Sequence, residues 1–147
     1  MKYKHIIWDY NGTILDDAQL VLDVFNFMLE ERQLPQCSME KYRDIFDFPV
    51  IEFYRLAGFD FEKYPFDELA DEFTSMYQEK FDTCTLREGI AETIKRLYAE
   101  GYEQSILTAG REQNILKEIK VFGLNRYISE LTGLHNNKAK SKVFLAE

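Results

Sequence analysis

The strongest constraint on this chain is local. Residues His5 to Tyr10 contain a continuous apolar run, Ile6-Ile7-Trp8, closed by Asp9 and followed at once by Asn11-Gly12. A short apolar run bounded by such a turn signal reads as a buried strand entering a sharp loop. In open parallel sheets, ligands sit beyond the carboxyl ends of strands, where loop amides and helix N-termini converge on anions. Asp9 falls at that position. A carboxylate there can attack phosphorus if a cation neutralises the approaching charges; the plainer reading is an aspartate that closes a strand before a turn. Gly12 lets the chain turn and exposes backbone amides, and Thr13 offers a hydroxyl to the loop. Asp16 or Asp17 can cap the following helix or line the cleft edge.

Beyond this loop the hydrophobic pattern divides the chain. From Asp17 to about Arg32 apolar residues recur at helical spacing, and Pro35 closes the segment. Ser38 to Phe46, Val50 to Ala57 (with Pro49 in its first turn and Gly58 as its stop) and Asp67 to Phe81 continue as helices. After Phe81 the pattern alternates: a helix from Glu88 to Glu100 ended by Gly101, a short strand Ser105 to Leu107, and a helix from Gln113 to Phe122 ended by Gly123. Alternating helix and strand, joined to the first strand, predicts an α/β fold with a parallel sheet covered by helices. The all-helical block therefore reads as an insertion, entered and left through short hinges near Leu15 and Thr83 to Leu86.

Length and charge exclude several classes of function. A chain of 147 residues fits one domain or one core with an insert. Its formal charge of −8 and pI near 4.9 leave no broad basic footprint for nucleic acid, so small solutes are the expected partners. Cys37 and Cys84 lie far apart with no close pair, which suits a reducing cytoplasm and indicates neither a zinc site nor a disulfide framework. The N-terminus runs straight into the apolar strand, with no signal-peptide core and no apolar run of about 18 residues, arguing against export and membrane spanning. His5 and His135 lack flanking partners at ligand spacing and read as surface or packing residues.

The segment Ile6-Ile7-Trp8-Asp9-Tyr10-Asn11-Gly12-Thr13-Ile14-Leu15 is similar to the hydrophobic strand and Asp-x-Asp-Gly-Thr-aliphatic motif of the haloacid dehalogenase superfamily; only the second aspartate differs. Ser105-Ile106-Leu107-Thr108-Ala109 resembles the second motif of that family, with Thr108 in the phosphate-binding place. Leu131-Thr132-Gly133, followed by a loop carrying Lys138, Lys140 and Lys142, resembles the third, and Lys142 matches best by its distance from Gly133 and its place at the start of an expected helix. The helical block sits where the cap-bearing branch, typified by phosphoglycolate phosphatases, carries its cap.

This resemblance covers essentially the whole chain. It implies a Rossmann-like core of residues 1–15 and 84–147 with a helical cap of residues 16–83 that opens and closes over the cleft. It further implies a magnesium-dependent phosphatase acting on a small phosphorylated metabolite, as a monomer or homodimer. Asp9 would be the nucleophile, Thr108 and Lys142 would hold the phosphoryl oxygens, Gly12, Thr13 and Ala109 would complete the substrate cradle, and Asp9 with Asn11 would hold Mg²⁺.

Two departures bear on activity. The family's general acid and base stands two residues after the nucleophile, and here that residue is Asn11; an amide cannot exchange protons near neutral pH, which costs about 10² to 10⁴ in rate for a poor leaving group. The family's fourth motif, an acidic pair completing the magnesium site, is expected after the helix beginning near Lys142, whereas the sequence ends at Glu147, so the core is expected to be incomplete at its C-terminus. Two alternatives follow. One is a catalytically silent phosphate-binding or regulatory module. The other is a phosphonatase- or dehalogenase-type member of the superfamily; a phosphonatase would need a Schiff-base lysine in the cap, for which Lys41 and Lys63 are available. The aromatic group Tyr42, Phe46, Phe48, Phe53, Tyr54, Phe59 and Phe61 reads as cap core, with some members free to line a substrate pocket.

Overall fold

The order of elements follows the hydrophobic pattern. In the computed structural model, which describes residues 4–47 and 49–136, the chain runs β1 (His5–Trp8), β2 (Leu15–Asp16), α1 (Ala18–Glu30), α2 (Met39–Ile45), α3 (Val50–Leu56) and α4 (Phe66–Lys80). It continues through β3 (Thr85–Leu86), α5 (Ile90–Ala99), β4 (Glu103–Arg111), α6 (Glu112–Val121) and β5 (Glu130–Leu134). Strands β1, β4 and β5 form a parallel sheet in the order β1-β4-β5, so β4, about a hundred residues along the chain, lies directly beside β1. The register pairs Trp8 with Ile106 and Leu107 with Thr132, which brings the carboxyl ends of β1 and β4 to the same edge. A parallel sheet covered by helices is what the alternating pattern predicts, and its Rossmann-like form is what the family resemblance implies.

The sheet is held by a buried amide as well as by apolar packing. Gln104 on β4 accepts a hydrogen bond from the Trp8 indole at 3.0 Å and donates to the Ile94 carbonyl of α5 at 2.9 Å. Both halves of a buried amide are thereby satisfied, as the interior requires. Around it Ile14, Ile94, Ile106, Ile115, Ile119 and Leu124 close a core beneath the sheet and its helices. His5 joins the two strands through a 2.9 Å contact to Ser105.

A second apolar cluster belongs to the helices α1 to α4. Phe25 of α1 stacks on Phe53 of α3 with ring centroids 4.4 Å apart, and Tyr54 meets Phe25 edge-on at 5.1 Å. Arg32 closes the cluster with a bidentate ion pair to Glu72 of α4, at 3.2 and 2.6 Å, while its guanidinium lies 4.7 Å from the centroid of the Tyr64 ring. Between the two clusters the chain passes twice. The passages pair antiparallel as β2 and β3, Leu15 opposite Leu86 and Asp16 opposite Thr85.

Three sequence expectations need correction. The first strand is not buried along its length: Ile7 is 63% exposed, because β1 pairs only with β4 among the described residues and its alternate side chains face outward. The strand expected over Ser105 to Leu107 extends over nine residues, Glu103 to Arg111, since both its neighbours supply pairing partners; its ladder with β5 shifts register between Leu107 and Arg111. Asp17 stands at the N-cap position of α1 without capping it. Its carboxylate is turned toward the loop after β1 instead.

Candidate active site

The loop after β1 is wound tightly around one carbonyl. The Tyr10 carbonyl accepts from the amides of Thr13, Ile14 and Leu15 at 2.8 to 3.1 Å. Gly12 sits at φ 74°, in the left-handed region that a residue without Cβ enters freely. Its amide donates to Asp17 Oδ1 at 2.9 Å, and Thr13 Oγ1 lies 3.5 Å from Asp9 Oδ2. This winding leaves Asp9 exposed at the strand end, on the wall of a cavity of ≈ 350 Å³.

The adjacent strand contributes Thr108, Ala109 and Gly110 to the same cavity. Thr108 is only 1% exposed, and its hydroxyl oxygen accepts from the Gly110 amide at 3.0 Å, leaving the hydroxyl proton for a further acceptor. Behind it, β5 approaches so closely that a Cβ on Gly133 would lie 2.9 Å from the Gly110 carbonyl oxygen and from Glu112 Cα. Gly133 is therefore fixed as glycine by contact with the chain that follows Thr108.

Of the residues singled out in the sequence, Asp9, Asn11, Gly12, Thr108 and Ala109 all line the one cavity. Thr13 is not on its wall but reaches Asp9 through its hydroxyl. Lys142, together with Lys138 and Lys140, lies outside the described residues. Of the aromatic group, Tyr42, Phe46, Phe53 and Tyr54 line the cavity and Phe59 and Phe61 do not; Phe48 is outside the described residues. Neither Lys41 nor Lys63 reaches the cavity. Contact with the Tyr64 hydroxyl raises the Lys63 pKa, opposite to what an imine-forming amine requires.

Asp17, one of the two acidic residues expected to cap the helix or line the cleft edge, lines the cavity, and it is joined there by residues with no signal in the sequence. Asp17, 2% exposed, gathers three donors: the Gly12 amide, Asn11 Nδ2 at 2.7 Å, and the Tyr77 hydroxyl of α4 at 2.8 Å. Asn11 Nδ2 also lies 3.3 Å from the Tyr77 oxygen, so the three side chains close a triangle across the two clusters. Burial first, then the Asp17 charge, holds the Tyr77 phenol far above its ordinary range, so it acts there as a neutral donor. Glu118 of α6 is fully buried and accepts from Gln78 of α4 at 2.5 Å. Desolvation pushes its pKa up to about 7, with hydrogen bonds from Gln78 and Tyr10 opposing and the Asp17 charge adding to the rise. Asp17 was legible only as one of an acidic pair near a helix start; Tyr77, Gln78 and Glu118 are ordinary helix residues until the fold assembles them.

Magnesium takes oxygen ligands, keeps several waters, and is often held by one or two carboxylates together with a substrate phosphate. Asp9 offers a carboxylate on the cavity wall, and with Asn11 Nδ2 turned to Asp17 the amide and backbone oxygens of Asn11 remain the donors at that position. These two residues fit the protein part of such a shared site. Among the described residues no group of three or more His, Cys, Asp or Glu forms a closed metal cage.

An exposed carboxylate just after β1 and a buried threonine on the adjacent parallel strand β4, faced by a helical cluster, place this chain among α/β proteins with a Rossmann-like sheet and a site at its edge. Residues 6–145 match the haloacid dehalogenase-like hydrolase family, and the chain belongs to it. It is 28% identical over 140 residues to a candidate pyrophosphatase PpaX of Caldanaerobacter subterraneus, and 28% identical over 141 residues to the pyrophosphatase PpaX of Listeria monocytogenes. These alignments take in 94% and 90% of this chain and 61% and 60% of the relatives, so the chain spans about three fifths of their length. Among solved structures, a predicted phosphatase of Clostridium acetobutylicum superimposes with a TM-score of 0.79 at 17% identity, covering 95% of this chain and 65% of that one. A predicted phosphoglycolate phosphatase of Haemophilus somnus superimposes at 0.76 with 20% identity, covering 90% and 63%. Both likenesses extend over the sheet and the helical block alike.

Proposed function

We propose that this chain carries the nucleophile and the substrate cavity of a magnesium-dependent phosphatase, with residues 1–15 and 84–147 as the core and 16–83 as the cap. The observation that carries the reading is the Asp9 carboxylate on the wall of a cavity shared with the buried hydroxyl of Thr108, one strand away. In this mechanism an Asp9 oxygen forms a bond to phosphorus while the bond to the leaving oxygen breaks and its electron pair departs with that oxygen, which takes a proton from solvent. Water then attacks the aspartyl phosphate, the Asp9 oxygen leaves phosphorus with its electron pair, and inorganic phosphate is released. The sum is ester plus water giving alcohol plus phosphate.

The chain's own residues have separable parts in this reaction. Thr108 donates its hydroxyl proton to a phosphoryl oxygen, Lys142 pairs with another, and the Gly12 and Ala109 backbone shapes the cradle. Thr13 steadies the Asp9 carboxylate. Asp9 and Asn11 would hold Mg²⁺, which when bound neutralises charge between nucleophile and phosphate. Asn11, bound to Asp17 and Tyr77, orients the loop but cannot carry a proton, so esters with good leaving groups should react best. The unpaired Cys37 and Cys84 and the lack of any helix long and apolar enough to cross a membrane among the described residues accord with a cytoplasmic setting.

The test is Mg²⁺-dependent trapping with beryllium fluoride together with phosphate release from a panel of activated esters. Formation of the Asp9 adduct, and turnover abolished by Asp9→Asn, are the expected results. Phosphate binding without turnover would favour the silent-module reading, for which Asn11 is the specific argument; no binding of phosphate or beryllium fluoride would end both.

A further inference from the structure

Chemically, the cavity is two-sided. At the sheet it presents Asp9, Asn11 and Thr108; across from them the helices present Val21, Tyr42, Phe46, Val50 and Phe73, all half-buried and turned toward the same space. The polar side chains on that helical wall are already engaged. Thr74 donates its hydroxyl to the Ala70 carbonyl at 2.8 Å, Gln78 donates to Glu118, and Tyr77 donates to Asp17. What remains facing a ligand is mostly methyl groups and rings, with the Tyr42 hydroxyl as a neutral polar atom among them. Among the described lining residues Arg111 is the only cation, and it belongs to β4 on the sheet side, whereas Asp9, Asp17 and Glu118 are acidic.

Building on the phosphatase reading, we infer that the substrate is a phosphate monoester with a neutral, apolar leaving group, an aryl oxide suiting the amide at Asn11 better than an alkoxide, and that inorganic pyrophosphate is a poor ligand. A second phosphoryl group carried into the helical wall would meet mainly rings and methyl groups instead of cationic donors, and a desolvated anion without cationic partners is strongly disfavoured. An alkyl or aryl group in the same place loses only water from apolar surface, worth about a fourfold gain in affinity for each methylene buried. The specificity arises from which polar atoms the helices have already paired among themselves, leaving the described wall without a cation to meet charge.

Equilibrium calorimetry of the full chain with Mg²⁺ and a series of alkyl phosphates from ethyl to hexyl tests this, with inorganic phosphate and pyrophosphate as references. Alkyl phosphates share one headgroup, so the comparison isolates the wall from leaving-group chemistry. Affinity is expected to climb about fourfold per methylene until the cavity fills, with pyrophosphate binding no more tightly than ethyl phosphate. In Val50→Lys, which sets a cation on the wall at the first turn of α3, pyrophosphate should gain at least about tenfold relative to hexyl phosphate. A flat alkyl series, or pyrophosphate binding more tightly than hexyl phosphate to the unaltered chain, overturns the inference while leaving the phosphatase reading standing. Failure to bind any of these ligands, inorganic phosphate included, takes both down. The alkyl series on the unaltered chain decides the matter even if Val50→Lys fails to fold.

Discussion

In the loop after β1, a single carboxylate, Asp17, collects three hydrogen bonds of 2.7 to 2.9 Å, whereas across the cavity Phe25, Phe53 and Tyr54 meet as rings with centroids 4.4 to 6.1 Å apart. The loop is specified by direction and charge, the helical cluster by volume. Hydrogen bonds to a buried carboxylate fail when one atom changes, because the donors left behind are buried and unpaired. Packed rings tolerate exchange for another apolar side chain of similar size, with a modest loss. The two regions should therefore respond differently to conservative substitutions.

Asp17→Ala should produce the largest effect, a loss of about 3 kcal/mol in urea unfolding, since it leaves the buried Tyr77 hydroxyl without its acceptor and removes the carboxylate that ties the Asn11 and Gly12 amides to the loop. A loss below about 1 kcal/mol would mean that the triangle is decorative. Next comes Glu118. Its pKa is raised in the folded chain, so the folded state binds the proton more tightly than the unfolded one, and the stability contributed by Glu118 is present below about pH 4.5 and lost as the pH climbs to about 7. Glu118→Gln should therefore gain about 2 kcal/mol at pH 8 and flatten the stability curve between those limits; an unchanged slope would sink the assignment.

Asn11→Asp looks like the restoration of a lost acid, yet it sets a second carboxylate where an amide now donates to Asp17 over 2.7 Å. Like charges that close raise each other's pKa, so the variant should be about 2 kcal/mol less stable at pH 8, with the deficit shrinking on acidification. The exchange Asn11→Asp with Asp17→Asn should recover most of the loss. If the single substitution costs nothing at pH 8, the loop is looser than its hydrogen bonds indicate. In the helical cluster, Phe53→Leu should cost only about 1 kcal/mol, measured by the same unfolding curves, despite removing a ring from the centre of the stack.

Much of the fold was legible because the signals are local. Asn11-Gly12 marks the turn, Gly58, Gly101 and Gly123 mark helix ends, and the spacing from Leu20 to Leu29 marks α1, each within a few residues. The candidate site was legible in part: Asp9 could be named because it ends an apolar run before a turn, and Thr108 because Ser105 to Ala109 resembles the family's second motif. Strand length was misjudged where neighbours decide it, as in β4, and burial was misjudged for β1, where alternation sets one face of the strand against the other.

By itself the sequence determined the class of sheet, the order of helices and strands, and the carboxylate after the first strand, since periodicity and turn chemistry act over a few residues. Only the tertiary structure decided what surrounds that carboxylate. Asp17 and Tyr77 are 60 residues apart in the chain, as Gln78 and Glu118 are 40 apart, and no local rule selects such pairs. They meet because two apolar clusters, each built for its own packing, leave their remaining polar atoms facing one another at the boundary, where burial favours those arrangements that pair them.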